Sequence, residues 1–277
     1  MTYVIIQDEL VLRQDATISF DDRGYYFGDG IYEVIPVYNG RPFALNEHFQ
    51  RFLESAQKID MPLAAPVDKI KSLACSLIEQ NNLANGYVYI QMTRGVAERN
   101  HLYERDLTSF LTGFTKEMTF SRDKHNGISL YATEDIRWLR CDIKTLNLLG
   151  NIMAKRKAAD HNCEEALQHR GDVVTEGSSS NIFMVKNKDI YTHPANNFIL
   201  NGITRQVVIS LAGDLKYNVI EEAFSLDDIE QADEVFITST SAEVTPVSKI
   251  QGTIESSYPV GPVAKTLQEA FYRTTNL

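Results

Sequence analysis

The period of the hydrophobic pattern changes along the chain, and each change marks an element. Thr2–Gln7 is a short apolar run that predicts a strand. Val34–Tyr38 and Arg41–Leu45 flank Asn39-Gly40, a dipeptide suited to a type I′ turn, and so predict a hairpin. Pro36, lacking a backbone donor, moves the first of these strands to an edge or a bulge. From Glu47 to about Asp60 the period becomes helical: Phe49, Phe52, Leu53, Ala56 and Ile59 share a face, with Asn46 placed to cap the helix. A second helix, about Asp68–Asn82, aligns Ile70, Leu73, Ala74, Leu77 and Ile78. Tyr87–Thr93 and Phe110–Phe114 return to strand character.

A polar stretch, Thr115–Gly127, then interrupts the pattern and reads as a linker. Beyond it come a strand at about Ile128–Thr133 and a helix at about Leu146–His161. Strands follow at Glu165–His169, Val173–Glu176, Asn181–Val185 and Ile190–Thr192. A helix after Gly202-Ile203-Thr204 carries Val207, Val208, Leu211 and Leu215; Glu234–Thr238 is a strand, and a helix at about Pro262–Tyr272 closes the chain. This is an α+β mixture in two parts, without repeats or a clean βαβ alternation.

Composition narrows the function classes. The 277 residues include 27 Lys+Arg and 37 Asp+Glu, a formal net charge of −10. That balance argues against a nucleic-acid or polybasic membrane binder. With 43% hydrophobic and 23% charged residues, the chain has a globular composition and enough length for a sizeable core. No apolar run is long enough to span a bilayer. The first residues carry no basic leader, and three cysteines without a CxxC pair point away from zinc and disulfides. A reducing, cytoplasmic setting is the expectation.

Several familiar signatures are missing: GxxxxGK, G-x-S-x-G, HExxH and GxGxxG. The glycine-rich run Gly24 to Gly30 has none of these spacings and reads by itself as a tight loop. Lys144 stands among Ile143, Leu146, Leu148 and Leu149. An apolar setting disfavours the charged amine, and a neutral amine attacks carbonyls to form a Schiff base; the other reading is a lysine that reaches back to solvent. Thr175-Glu176-Gly177-Ser178-Ser179-Ser180-Asn181 places a carboxylate at a strand end, either to hold a protonated ring nitrogen or as a polar turn. The serines lack a recognisable base and do not read as nucleophiles. Asn201-Gly202-Ile203-Thr204, opening a helix, and Thr238-Ser239-Thr240-Ser241 are two candidate anion cups. A carbonyl, a basic ring nitrogen and a phosphate in one ligand describe pyridoxal phosphate.

Taken in order, these segments resemble the fold-type-IV pyridoxal-phosphate aminotransferases, and among them the D-amino-acid (D-alanine) transaminases. The likeness runs from Asp22-Arg23-Gly24 and Phe27 to Glu33, through Asn46-Glu47-His48 with Arg51, Trp138 to Leu149, Thr175 to Asn181 and Gly202 to Arg205, to Thr240 through Val247. It implies a small N-terminal α/β domain (1–115), a linker (116–127), and a larger, β-barrel-like C-terminal domain with helices (128–277) that carries the cofactor lysine, the cofactor lying between the domains. It also implies roles. Lys144 would bind the cofactor as an internal aldimine, and Glu176 would face the pyridine nitrogen. Arg51, Ile203, Thr204, Ser239 and Thr240 would hold the phosphate, and Leu200 would pack on the ring. Arg99-Asn100-His101 matches an Arg-x-His pair that, with the tyrosine matching Tyr32, binds the substrate carboxylate. In the family that loop reaches the neighbouring subunit's site, which implies a homodimer. One departure is Leu102-Tyr103, where relatives often carry an aromatic residue followed by proline.

The implied activity is ping-pong transamination between a D-amino acid (D-alanine, D-glutamate) and a 2-oxo acid (2-oxoglutarate, pyruvate). Three readings compete with it. A branched-chain L-amino-acid aminotransferase shares the fold but leaves Arg99 and His101 unexplained. An aminodeoxychorismate lyase needs no second keto acid. A cofactor-free binding protein would have little use for Lys144 and Glu176.

Overall fold

The computed structural model describes residues 2–120 and 126–275. The chain forms two compact units. The first holds residues up to Phe120 together with Ile143–Asn147; the second holds Ser121–Asp142 and Leu148–Leu277. Residues 121–125 of the expected linker lie outside the described residues, and its beginning, through Glu117, continues a strand.

In the first unit the elements are β1 (Tyr3–Ile6), β2 (Glu9–Leu12), α1 (Arg23–Phe27), β3 (Gly30–Tyr38), β4 (Arg41–Pro42), α2 (Leu45–Lys58), α3 (Val67–Gln80), β5 (Gly86–Thr93) and β6 (Phe110–Glu117). The sheet order is β2-β1-β6-β5-β3-β4, antiparallel throughout. The Asn39-Gly40 turn has positive φ at both residues, 49° and 76°, which is what a type I′ turn requires. Pro36 is tolerated because β3 pairs along its length with β5, whereas β4 covers only Val37 and Tyr38 on the other edge. Asn46 does not cap α2. The helix begins two residues earlier, after Ala44 in the left-handed region, and the Asn46 side chain accepts from Lys71 instead. Ile31, Ile35, Phe49, Phe52, Ile70 and Leu77 belong to the core that α2 and α3 share with the sheet.

The sequence reading placed Lys144 in the C-terminal domain, but its segment groups with the first unit. The reason is backbone hydrogen bonding: Tyr32 N–H donates to Lys144 O and Leu146 N–H to Gly30 O, each at 3.0 Å. Thr145 bridges Ile31, so the segment extends the free edge of β3.

The second unit contains β7 (Ile128–Glu134), α4 (Leu149–Asp160), β8 (Glu165–Arg170), β9 (Val173–Gly177), β10 (Asn181–Lys186), β11 (Asp189–Thr192), α5 (Ile203–Asp214), β12 (Val219–Glu221), α6 (Leu226–Glu230), β13 (Glu234–Ser239), β14 (Glu243–Gly252), β15 (Ser256–Ser257) and α7 (Pro262–Thr275). Its nine-stranded mixed sheet runs β12-β11-β10-β13-β14-β7-β8-β9, with β15 on β14, curled as the barrel-like expectation requires. The strand at its centre, β14, is not visible in the sequence pattern. Pro246 sits within it, and β7 takes up its free edge only from Val247 onward. Leu130, Leu167, Val174, Ile182, Val235 and Val247 pack in this unit's core. Among the described residues, no helix is long and apolar enough to cross a membrane.

Candidate active site

In the first unit, α2 lays two stripes on β3. One is apolar: Phe49, Phe52 and Ala56. The other is polar yet buried: His48, Arg51 and Ser55, at the i, i+3, i+7 spacing of one helix face. Glu33 of β3 meets this stripe. Arg51 donates from Nε to Glu33 Oε1 at 2.7 Å and from Nη2 to Oε2 at 2.8 Å, a bidentate fork. His48 Nδ1 lies 2.7 Å from Oε2. Burial raises the Glu33 carboxyl, but the Arg51 charge and the hydrogen bonds from Arg51 and His48 outweigh it, holding Glu33 far below the usual carboxylate range. Burial lowers His48, so its ring is neutral and donates through Nδ1.

Ser55 of the same stripe accepts from the Lys144 backbone N–H at 3.2 Å. The Lys144 backbone is therefore held at both its N–H and its carbonyl, and its Nζ stands 4.3 Å from the centre of the Tyr32 ring. Tyr32 in turn stacks on Tyr89, with ring centres 5.6 Å apart. The structure thus brings together Lys144, Tyr32 and, through Ser55 and Glu33, Arg51.

Arg99 and His101 gather elsewhere in this unit, on the exposed loop between β5 and β6. Both contact Phe27: the Arg99 guanidinium lies 5.2 Å from the ring centre, and the His101 ring stands edge-on at 5.6 Å. Tyr103, the departure from the family pattern, covers the Arg94 guanidinium at 3.7 Å and donates to Asp60.

In the second unit, Glu176 of β9 is buried. Its Oε1 accepts from Arg137 Nη1 at 2.5 Å; its Oε2 accepts from Asn181 Nδ2 at 3.0 Å and from Leu200 N–H at 3.1 Å. Arg137 is oriented by a fork to Asp135, which also accepts from Arg170 and Thr175. Burial raises the Glu176 carboxyl to about 7, against the Arg137 charge and hydrogen bonds that lower it. Asp135, with more donors, is held down to about 2 despite its own burial.

The candidate anion cups lie in the same unit. Ile203 and Thr204 open α5, whose first N–H groups have no intrahelical acceptor and no side-chain cap. The loop before them is fixed by the buried Arg205, which donates to Asn201 Oδ1 and His193 O. A Cβ on Gly202 would fall 2.2 Å from Asn181 Oδ1, so this close approach needs glycine. Asn181 pairs in register with Thr238, whose buried hydroxyl has no partner. Ser239 accepts from Ala242 N–H and, with Thr240, forms the turn after β13. Asn181 therefore ties Glu176, Leu200 and the α5 entrance to the β13 cup. The serines after Glu176 donate to Glu165, which explains why no base accompanies them.

These residues fit a phosphorylated pyridine cofactor. Three donors occupy Glu176, one fewer than a carboxylate can accept, and burial still disfavours its ionisation despite Arg137, so a protonated ring nitrogen would be a further cation to favour the charged form. The orphan Thr238 hydroxyl and the uncapped α5 entrance are donors suited to a phosphate. Glu33, Ser55, Asp135, Arg137 and Asn181 were given no role by the sequence reading. The polar spacing of His48, Arg51 and Ser55 on α2 was a readable signal; the contacts of Arg137 and Asn181 arise only through the sheet.

Without cofactor, Glu176 is expected to titrate near 7 in the folded chain and near 4.5 when unfolded. Between these values the folded chain keeps a proton that the unfolded chain has lost. Stability at this site therefore falls as pH rises from 4.5 to 7, by about 3 kcal/mol in all. Neutral His48 acts oppositely, its contribution fading as pH drops below 6.5. The check is the denaturant-derived stability of cofactor-free wild type against Glu176→Gln. The two pH slopes should differ only in this window, and equal slopes refute the assignment.

Comparison with known proteins identifies the family. A family model, amino-transferase class IV, matches residues 30–250. The D-alanine aminotransferase of Staphylococcus epidermidis (strain ATCC 12228) is 48% identical over 273 residues, covering 98% of this chain and 97% of its own. That of Listeria monocytogenes serotype 4b (strain F2365) is 46% identical over 272 residues, covering 97% and 94%. Among solved structures, the branched-chain aminotransferase of the thermophilic archaeon Thermoproteus uzoniensis, with norvaline, superposes with a TM-score of 0.91 at 25% identity, covering 99% of this chain and 94% of that one. Likeness this continuous in sequence, and this close in fold, means that the chain belongs to the class IV amino-transferases.

Proposed function

We propose that this protein is a D-amino-acid transaminase. It moves the amino group of a D-amino acid such as D-alanine or D-glutamate to a 2-oxo acid such as 2-oxoglutarate or pyruvate, with pyridoxal phosphate as cofactor. The observation that carries the reading is near-half identity along almost the whole chain to D-alanine aminotransferases. Fold likeness to branched-chain enzymes supports a second reading, an L-amino-acid aminotransferase, at the lower identity of 25%.

Pyridoxal phosphate, when bound, supplies the carbonyl carbon that exchanges the amino group and a ring that draws electrons from the substrate. The chain supplies the rest. The Lys144 amine is the nucleophile that holds the cofactor. Once free, that amine would take the proton from substrate Cα as a base and then return it as an acid. Glu176, oriented by Arg137 and Asn181, keeps the ring nitrogen protonated. Arg51, Ile203, Thr204, Ser239 and Thr240 would bind the phosphate; the bidentate pair with Glu33 fixes the orientation of the Arg51 guanidinium beforehand. Leu200 packs against the ring. Arg99, His101 and Tyr32 bind the substrate carboxylate. That carboxylate anchor decides which enantiomer turns its Cα–H toward Lys144.

The Arg99 loop serves the site of a second copy, so the working form is a homodimer. Phe20, Tyr25 and Leu102, in segments beside that loop, are each at least 71% exposed in the single chain, an apolar surface suited to burial against a partner. The test of function is the complete reaction, with D-alanine and 2-oxoglutarate supplied and the products separated by chiral chromatography. Pyruvate and D-glutamate should accumulate together with ping-pong kinetics. Formation of L-glutamate in place of D-glutamate would favour the branched-chain reading.

A further inference from the structure

Two arginines and one ring hold the Arg99 loop from behind. The loop leaves β5 beside the entrance of α1: Arg23 N–H donates to Gly95 O, Ala97 N–H to Asp21 O, and Asp22 bridges Val96. Arg23 then reaches further along the loop. Its Nη1 donates to the Asn100 carbonyl at 2.6 Å, between Arg99 and His101, while its Nε donates to Asp29 at 2.8 Å. Asp29 also accepts from Arg94, whose guanidinium lies beneath Tyr103. One carboxylate thus sets two arginines, and they fix the loop at positions 100 and 103.

The ring is Phe27, the last residue of α1. Gly28, left-handed at φ 62°, ends the helix there. Arg23 approaches the Phe27 ring at 4.8 Å, Arg99 at 5.2 Å, and His101 stands edge-on at 5.6 Å. Arg99 and His101 are otherwise exposed side chains on a loop, with large rotamer freedom to lose on binding. An aromatic face shared by a guanidinium and an imidazole edge limits that freedom before substrate arrives.

We propose that Phe27 and Arg23 are positioning residues for substrate-carboxylate recognition: Phe27 aligns the side chains of Arg99 and His101, and Arg23 fixes the backbone between them. The proposal rests on the reading that Arg99 and His101 bind the substrate carboxylate. Neither residue touches the reacting atoms, so binding should suffer and chemistry should not.

The experiment compares Phe27→Leu, Phe27→Tyr, Arg23→Lys and Arg99→Ala in the cofactor-loaded enzyme. It measures KM and kcat for D-alanine, inhibition by propionate as a bare carboxylate, and the cofactor's visible absorbance. Phe27→Leu should raise KM and the propionate inhibition constant together by about tenfold, with kcat changed by less than about twofold and the absorbance unchanged. Phe27→Tyr, which keeps the aromatic face, should stay within about twofold of wild type. Arg23→Lys keeps a charge beside Asp29 but loses the planar guanidinium that spans Asp29 and the Asn100 carbonyl, and should raise KM in the same way. An unchanged KM in Phe27→Leu, while Arg99→Ala raises it, overturns the positioning role alone. An unchanged KM and propionate affinity in Arg99→Ala overturns the carboxylate reading beneath it. A fall in kcat with loss of the cofactor absorbance in Phe27→Leu also overturns the proposal, since the ring would then support the fold and not the loop.

Discussion

Lys144→Ala is expected to lose turnover by at least about 10³-fold while the protein stays folded. The loss follows from chemistry: alanine offers neither a nucleophile for the cofactor nor a base within reach of substrate Cα. Retention of the fold follows from where Lys144 is anchored. Its N–H donates to Ser55, its carbonyl accepts from Tyr32, and Thr145 bridges Ile31; none of these uses the amine. Lys144→Arg should fail equally, since a guanidinium keeps the charge but is neither a nucleophile nor a base near neutral pH. Turnover number and thermal midpoint, measured side by side, check both statements. Turnover close to wild type in either variant refutes the assignment.

Glu33→Ala is expected to produce the largest loss of stability among single substitutions at the site, about 3–5 kcal/mol. Arg51 would keep its charge in a buried position and lose a bidentate partner, while His48 would lose its acceptor. The pair as a whole is a weaker source of stability than that number suggests, because both charges were desolvated to form it. Replacing both partners, Glu33→Met with Arg51→Met, should therefore recover much of the loss in a urea titration. The same double variant should bind pyridoxal phosphate more weakly than Glu33→Ala does, because Arg51 itself is gone. A Glu33→Ala protein within about 0.5 kcal/mol of wild type would contradict the account.

The parts legible in the sequence are those whose cause is local. Asn39-Gly40 announces its turn because only residues that accept positive φ sit well there. The α2 helix shows its apolar face through a 3.6-residue period. The strand that carries Glu176 and the helix that opens at Ile203 are legible as elements, since a β-branched run and a helix start are local signals. What escaped depends on tertiary pairing. Strand β14 is hidden by Pro246, tolerated only because β7 begins its pairing at the next residue. Glu33 lies within a segment that matches the family, yet its partners are a turn or more along another element. Arg137 meets Glu176 across 39 positions of sequence, a distance no spacing rule covers. Lys144 shows the same limit: its apolar neighbours are visible in the sequence, but its place at the edge of β3 is not.

The central claim concerns which enantiomer presents its Cα–H to Lys144. It is tested most directly by a half-reaction: cofactor-loaded protein is mixed with D-alanine or L-alanine, no 2-oxo acid is added, and the cofactor's visible absorbance and released pyruvate are followed together. D-alanine should bleach the band and yield one pyruvate per site, while L-alanine leaves the band in place. Bleaching by L-alanine alone would contradict the account.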